Sequence, residues 1–245
     1  MEIVTLADRP DLVSSLWNLS SVWPGFMRHD PFAHLYYDHV EDRWGDWVLM
    51  AVDGERTAAR GFSVPFAMGS EIDRPDLPSD GWDGVVRWSH QDHVHGHEAT
   101  TVSALEIVVA PDYQGTGLAG DMIRAMCDNA ARHGFSELVA PVRPTGKHLE
   151  PETPMQEYVE RVREDGLPVD PWLRVHARLG AEIVAVCPVA MTIRGTIAEW
   201  QDRTGLSFDR SGPVIVPGAL VPVHVDVEQD HAVYVEPGVW MRHRW

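Results

Sequence analysis

Apolar residues in the first 67 positions recur at two spacings, which predict alternating strands and helices. The runs at 2–6, 47–52 and 57–67 are short, apolar and of strand length, and Asp53-Gly54 is a strong hairpin turn between the last two. Within 12–40, apolar residues repeat every three or four positions, which is typical of helices that bury one face. We therefore predict a strand, two helices and a β-hairpin in this part of the chain.

The same two spacings continue through the middle of the chain. Apolar runs at 103–110, 137–142 and 182–193 have the length and composition of strands. Helical periodicity fills 117–133 and 172–179, and a glycine follows each of these segments as a stop signal. Alternation of strands with helices predicts an α/β (α+β) fold class.

Two stretches, 69–97 and 144–171, lose this periodicity and carry several prolines and glycines. We interpret both as inserts in the core. The first is expected to contain a short strand near 85–88, and the second a short helix around 155–163.

The last 50 residues predict a helix at 196–204 and a hairpin with strands at 221–227 and 232–235. We therefore divide the chain into a core at 1–195 and a β-rich extension at 196–245 that packs on it.

Net charge limits the classes of partner. Thirty-seven acidic residues oppose 20 basic ones, for a formal charge of −17. Nucleic acid and anionic membranes are unfavourable partners, because both require clustered lysine and arginine. A cationic or amine-bearing small molecule would be attracted, although an acidic surface also serves solubility.

Cysteine usage and hydropathy favour a cytoplasmic location. Cys127 and Cys187 lie far apart in apolar stretches, without metal-type spacing, and are expected to be buried free thiols. The N-terminal residues contain no apolar segment of signal-peptide length. No segment approaches the roughly 20 apolar residues that span a bilayer.

A glycine-containing turn joins the strand at 103–110 to the helix at 117–133. Gly115 and Gly117 allow the chain to turn without Cβ clashes, so the N–H groups of the turn and of the first helical turn point into one concavity. This arrangement favours a phosphate group. A nucleotide triphosphate loop is excluded because no Gly-Lys-Ser/Thr follows, and a dinucleotide loop would follow the first strand.

Residues 107–119, IVVAPDYQGTGLA, resemble the acyl-CoA-binding motif of the GNAT superfamily of N-acetyltransferases. Gln114, Gly117 and Ala119 fill its three defining positions, and Gly115 is the usual additional glycine. The order of predicted elements at 1–65 and 98–193 also fits that family.

The resemblance implies a mixed, mostly antiparallel central sheet flanked by helices, with the motif strand and the next strand splayed apart. It also implies a binding site for acetyl-CoA or another acyl-CoA. The pantetheine arm would pair with the motif strand and the pyrophosphate would bind the loop N–H groups, which assigns the cosubstrate to Ile107, Val108, Val109, Gln114, Gly115, Thr116, Gly117, Leu118 and Ala119.

Two residues are candidates for proton transfer. His176 lies four residues before Gly180, where GNAT enzymes often carry a tyrosine that protonates the leaving sulfur. Its ordinary pKa of about 6.5 suits proton exchange near neutrality, but a structural helix histidine is the alternative. Glu106 occupies the motif-strand place where several GNAT members carry a base; the alternative is a salt-bridged carboxylate. Strand alternation puts Glu106 and Val108 on one face.

A histidine-rich run spans residues 90–97. In an extended chain His93, His95 and His97 would share one face, which is a geometry that can bind a metal. A solvent-exposed or substrate-contacting loop and a base role for one histidine are the alternatives. We expect no metal, because GNAT acyl transfer needs none.

These observations predict an acyl-CoA-dependent N-acyltransferase that acetylates an amine of a small molecule by direct attack. The inserts at 69–97 and 144–171 would cover the acceptor side. Two alternatives remain: another thioester donor, either a longer acyl-CoA or a carrier-protein-bound acyl group, and a non-catalytic CoA-binding module. A homodimer is allowed by the sequence.

Overall fold

A computed structural model describes residues 1–19 and 23–245, and these residues form a nine-stranded sheet. Most strands correspond to apolar runs, and every strand except β7 contains buried residues. The strands are β1 (Glu2–Thr5), β2 (Val48–Asp53), β3 (Arg56–Phe66), β4 (Thr101–Val109), β5 (Glu137–Val142), β6 (Glu182–Gly195), β7 (Gly212–Val214), β8 (Val223–Asp226) and β9 (His231–Arg244).

The strand order is β1-β2-β3-β4-β5-β9-β8-β7, and β6 pairs with the other edge of β9. Among the described strands, β4 and β5 form the one parallel pair, and all other neighbours are antiparallel. The expected mixed, mostly antiparallel sheet is confirmed.

Helices cover both faces of the sheet. They are α1 (Val13–Leu16), α2 (His34–Tyr37), α3 (Gly81–His95), α4 (Leu118–Arg132), α5 (Met155–Val159), α6 (Pro171–Arg178) and α7 (Ile197–Thr204). One core contains buried residues of α1, α2, α3 and α7, such as Leu16 and Trp200. The other contains residues of α4, α5 and α6, such as Met122 and Leu173. No helix within the described ranges is long and apolar enough to cross a membrane.

The prediction of a short strand near 85–88 is wrong, because this segment lies within α3. Helix α3 buries Trp82, Val85, Val86 and Ser89 at helical spacing against the sheet. Its buried face also includes glycine and aspartate, so the apolar pattern is weak in the sequence. Gly96 ends the helix in the left-handed conformation, with φ of 73°.

The C-terminal segment lies inside the sheet, which differs from the expected extension packed on the core. Strand β9 continues to Arg244 and is hydrogen-bonded to β5 on one edge and to β6 on the other. The sequence predicted that this strand ends at 235, before Pro237-Gly238. In the structure this pair faces an irregular part of β6, between Cys187 and Met191, where the register shifts.

Candidate active site

Strands β4 and β5 separate soon after they meet. Their ladder pairs Val102 with Leu138 and Ser103 with Val139, and no further pair follows in the part of the chain that the structure describes. Leu105 is an extra residue on β4, since Glu106 pairs with Phe62 whereas Ala104 pairs with Ser63 on β3. Such a β-bulge bends its strand, and here it turns β4 away from β5.

The opening between the strands is a cleft of about 470 Å³, which we call the main cleft. It is lined by both splayed strands, by the glycine turn and by α6, through residues 104–107, 109, 114, 119, 140–143, 172 and 176. The edge of β4 that faces the opening carries backbone groups without a ladder partner. An extended ligand can therefore take the place of a strand.

The glycine turn lies at one end of the main cleft. Gly115 and Gly117 have φ of 75° and 94°, and a Cβ on either would meet no atom within 4 Å. The first full intrahelical bond of α4 runs from Asp121 N–H to the Gly117 carbonyl, so the N–H groups of Leu118 and Ala119 precede it. Together with the helix dipole they form a site for an anion.

Side-chain hydrogen bonds fix this turn against the strand. The Gln114 amide Nε2 donates to the Val109 carbonyl at 3.1 Å, and the Thr116 hydroxyl donates to the Tyr113 carbonyl at 2.7 Å. Gln114 and Ala119 border the main cleft. Of the other residues that the sequence assigned to the cosubstrate, Ile107 and Val109 also border this opening, whereas the Val108 and Leu118 side chains are buried.

Glu106 forms a buried ion pair with Arg60. The Arg60 Nη2 and Nε groups donate to Glu106 Oε1 at 3.1 and 3.3 Å, and the two side chains are 4 % and 6 % exposed. Arg60 also donates to the carbonyls of Leu16 and Leu19. The Tyr37 hydroxyl donates to Glu106 Oε2 at 3.3 Å. Both sequence alternatives for Glu106 are therefore present, a salt-bridged carboxylate and a position in a cleft.

Glu106 borders a second opening of about 500 Å³, which we call the side cavity. Four aromatic residues form much of its wall, and the Tyr37 and Trp82 rings stack at 6.2 Å between centroids. The cavity is lined by Trp17, Leu19, Trp23, Met27, Arg28, Ala33, Tyr37, Arg60, Trp82, Glu106 and Met191. Glu106 therefore lies where the main cleft and the side cavity meet.

Arg60 and Tyr37 were not among the candidate residues identified from the sequence. Arg60 lies within the apolar run of β3, and a charge inside such a run is a signal for a buried partner. Tyr37 gave no such signal, because a tyrosine within a predicted amphipathic helix is ordinary. Its burial and the nearby Glu106 carboxylate raise its pKa well above the usual range, so its hydroxyl remains a hydrogen-bond donor.

His176 lies in the main cleft and is paired with another histidine. Its Nδ1 is 3.0 Å from His243 Nε2, and both rings are buried. Burial lowers the pKa of His176 to about 3, with a contribution from His243, and burial lowers the pKa of His243 to about 4. Both rings are neutral near pH 7, so His176 is a poor source of an imidazolium proton.

Two basic residues follow β5, of which Arg143 is partly buried and Lys147 is buried. Arg143 lines the main cleft and donates from Nε to both carboxylate oxygens of Glu236, at 3.0 and 3.1 Å. Lys147 is fully buried, and its ammonium donates to the carbonyls of Glu150 and Leu220 at 2.7 Å. The Arg143 and Lys147 side chains therefore both bind partners within the protein.

The histidine run at 90–97 forms the last turns of α3 and the two residues after it, so the extended geometry considered for a metal site is wrong. His93 and His95 lie on the last turn of the helix and cannot share a face at a spacing of two residues. His97 contacts Asp92, with 3.1 Å between Nδ1 and Oδ1. Within residues 1–19 and 23–245 no group of three or more His, Cys, Asp or Glu side chains could hold a metal ion.

Comparisons with known proteins agree with this architecture, although no family model matches the chain. Arginine N-acetyltransferase avaD of Aspergillus versicolor is 33 % identical to it, over 98 % of this chain and 92 % of that protein. This chain therefore belongs to the GNAT superfamily, and it is an acyl-CoA-dependent acyltransferase. The resemblance noted in the sequence is confirmed.

Two solved structures share the fold. The loading GNATL domain of CurA from Lyngbya majuscula superposes with a TM-score of 0.57 at 16 % identity, covering 99 % of this chain and 96 % of that domain. The GNAT-like decarboxylase GphF, in complex with isobutyryl-CoA, gives a TM-score of 0.53 at 15 % identity, covering 100 % of this chain and 99 % of that protein.

The glycine turn leads to a first prediction. Gly117→Glu should raise the Kd for CoA by at least about tenfold, because it places a carboxylate where the turn would receive a phosphate. The positive φ of Gly117 makes the change costly by itself, by about 1–2 kcal/mol. Gly134→Glu is the matched control, since Gly134 follows the other end of α4 with φ of 89° and equally open space.

Calorimetric titration with CoA compares the two variants after each is shown to be folded. Equal loss of CoA affinity in both, or unchanged affinity in Gly117→Glu, would contradict the assignment of the turn.

The histidine pair leads to a second prediction. The lowered pKa values mean that the unfolded chain binds protons that the folded chain does not, so stability is lost as the pH falls below about 6.5. Each ring contributes up to about 1.4 kcal/mol per pH unit in that window. Urea unfolding from pH 7.5 to 5 should show that the free energy of unfolding falls less steeply with decreasing pH in His176→Gln than in the parent.

The same change at the exposed His224 should leave the pH slope of the parent unaltered, because unfolding exposes that ring little further. Parallel slopes for the parent and His176→Gln would contradict the assignment of a neutral, buried His176 ring.

Proposed function

We propose that this protein transfers an acetyl group from acetyl-CoA to an amine of an arginine-like small molecule. The observation that carries the proposal is the position of Glu106, which borders both the main cleft and the side cavity. A donor in one opening and an acceptor in the other would meet beside this carboxylate. Holding two reactants at one point is itself a large part of catalysis.

The main cleft suits acyl-CoA in three respects. Its glycine turn and the start of α4 offer N–H groups and a helix dipole to the pyrophosphate. The unpaired edge of β4, near Ile107 and Val109, offers backbone groups to the amide units of the pantetheine arm. N–H groups on the same edge are the available donors for the thioester carbonyl oxygen as negative charge develops there.

The reaction would be a direct displacement. The neutral amine attacks the thioester carbonyl, a C–N bond forms, the C–S bond breaks, and CoA leaves as a thiolate. The amine must lose a proton, and Glu106 Oε2 is the acceptor atom that Arg60 leaves open, with Tyr37 as its other neighbour. The proton passes to this oxygen directly or through water.

The leaving sulfur does not require a dedicated acid near neutral pH. A thiol has a pKa of about 8.5, so a thiolate is an adequate leaving group there and can take its proton from water. His176 is neutral and paired with His243, which favours a positioning role for its ring at the wall of the main cleft.

The side cavity supports an arginine-like acceptor. The relative with 33 % identity is named for arginine, and the aromatic walls at Trp17, Tyr37 and Trp82 suit the face of a guanidinium. Arg28 lines the same cavity, is exposed and has no carboxylate partner among the described residues. It is therefore available to a carboxylate on the acceptor.

Thiol release from acetyl-CoA, measured across a panel of amines, tests the proposal directly. Release with arginine-like amines, and the corresponding acetylated product by mass spectrometry, are expected. Preference for longer acyl-CoA donors or acyl carrier proteins would favour the alternative donor, and CoA binding without release for every amine would favour a non-catalytic module.

Glu106→Gln should lower kcat/KM by roughly 10²-fold near neutral pH, because the amide cannot accept the amine proton. The loss should shrink at high pH, where more of the amine is already neutral. The variant should also be destabilised, by about 3–5 kcal/mol, because Arg60 loses its charged partner.

Asp92→Asn provides the matched control for that stability loss. Asp92 and Arg74 form an equally buried ion pair, with 2.6 Å between Arg74 Nη1 and Asp92 Oδ1, and they line neither opening. Both variants should melt early, but turnover per folded molecule should fall in Glu106→Gln alone. Undiminished turnover in folded Glu106→Gln would reject the base role.

Arg28→Gln should reduce kcat/KM for arginine by roughly five- to tenfold, as expected for loss of one exposed charge-assisted contact. Agmatine, which is arginine without its carboxylate, should show no such loss. Arg210→Gln removes the same charge from an exposed position outside both openings and is the control. Equal losses for arginine and agmatine would show that Arg28 does not contact the carboxylate.

A further inference from the structure

Two buried aspartates from different parts of the chain meet behind the side cavity. Asp30 is 7 % and Asp83 is 2 % exposed. Asp30 Oδ1 accepts the N–H groups of Phe32 and Ala33 at 2.8 and 3.0 Å. Asp83 Oδ2 accepts the Thr192 N–H at 3.0 Å, which joins α3 to β6. Asp83 thus holds the backbone of β6, and Asp30 holds the turn that leads into α2.

The remaining oxygens, Asp30 Oδ2 and Asp83 Oδ1, are buried and have no N–H or O–H partner among residues 1–19 and 23–245. The two carboxyl groups lie within hydrogen-bonding reach of each other. As two carboxylates they would repel one another and leave both oxygens unsatisfied. A single proton between them removes one charge and satisfies both oxygens.

Each segment that this pair holds contributes a wall residue to the side cavity. Ala33 donates its N–H to Asp30, Trp82 precedes Asp83, and Met191 precedes Thr192. Helix α2, helix α3 and strand β6 are thereby connected through the two carboxyl groups. The distance between these three walls sets the width of the side cavity.

We propose that Asp30 and Asp83 share one proton and act as positioning residues for the acceptor, by holding the three walls of the side cavity together. The acceptor's place in that cavity rests on the proposed function.

The charged groups around the two aspartates favour a pair that carries one proton over a pair that carries none. His34 on α2 faces Asp30 and is the nearby group that can offset its charge. Asp80 faces Asp83 and adds a like charge, although Asp80 is itself paired with Arg87. Burial raises the pKa of both carboxyls, and that of Asp83 reaches about 9. The pair therefore holds its proton at neutral pH and loses it in alkaline solution.

Asp83→Asn tests the arrangement because an amide reproduces a protonated carboxyl. Its Nδ2 can donate to Asp30 Oδ2 while its oxygen accepts the Thr192 N–H, and the group no longer titrates. Asp83→Leu removes both bonds. Asp92→Asn, nine residues along the same helix, is the control for a buried aspartate outside the cavity.

The acceptor KM and the acetyl-CoA KM are measured from pH 7 to 10.5 in all four proteins. Relative to Asp83→Asn, the parent should show an acceptor KM that rises as the pH passes about 9. Dividing the acceptor KM of the parent by that of Asp83→Asn cancels the effect of the amine's own titration, which is common to both proteins. Asp83→Leu should raise the acceptor KM about tenfold or more at pH 7.5. Acetyl-CoA KM should remain within twofold, roughly, in each variant.

Two measurements do not depend on turnover. The infrared band of a protonated carboxylic acid should be present in the parent at pH 7.5 and missing from Asp83→Asn. Because the raised pKa favours the folded state at low pH, stability of the parent relative to Asp83→Asn should fall as the pH rises towards about 9.

The proposal of a shared proton would be overturned if the parent and Asp83→Asn had the same infrared spectrum in the carboxylic acid region. It would also be overturned if the ratio of their acceptor KM values did not change between pH 7 and 10.5. Absence of acetyl transfer with every amine would instead count against the proposed function, and the infrared and stability measurements would still decide whether the proton is shared.

Discussion

Beyond Ser103, the edge of β4 that faces β5 pairs with no strand in residues 1–19 and 23–245, although it lies beside an apolar core. A backbone edge in that position is costly unless another group satisfies it. The bulge at Leu105 produces this edge, and the glycine turn at the end of β4 places N–H groups and a helix dipole at one end of the opening. The binding of an extended, phosphate-bearing cosubstrate follows from these two features together.

The Arg60–Glu106 ion pair places charged groups beside that opening. A lone carboxylate at the junction of two cavities would be expensive to bury, and the fork of Arg60 donors to a single oxygen compensates for this while leaving the second oxygen to the Tyr37 hydroxyl. Arg60 is in turn held by two backbone carbonyls near α1. The pairing of β3 with β4 thus fixes the position of the carboxylate that would meet the amine.

Burial sets the protonation of two other polar pairs close to the cavities. The His176–His243 pair is kept neutral because a buried imidazolium is unfavourable, and the Asp30–Asp83 pair retains a proton because two adjacent buried carboxylates are unfavourable. In the histidine pair a hydrogen bond between neutral rings replaces a charge, and in the aspartate pair one shared proton reduces two negative charges to one.

Local sequence determined the elements whose signal is contained in a few neighbouring residues. The hairpin at Asp53-Gly54, the glycine turn after β4 and the strand at Glu137–Val142 are examples, because periodicity and special backbone angles are properties of adjacent positions. The family resemblance rested on the same kind of signal, and Glu106 stood out as a carboxylate in an apolar strand.

Contacts between distant residues were decided by the tertiary structure. Helix α3 was missed because its buried face carries glycine, serine and aspartate, whose burial depends on partners such as Thr192 on β6. The partner of Glu106, the neutrality of His176 and the pairing of β9 with β5 likewise depend on groups 46 to 107 positions away along the chain. Spacing within one segment carries no information about such partners, because pairing between strands and burial of charge are settled only when the sheet closes.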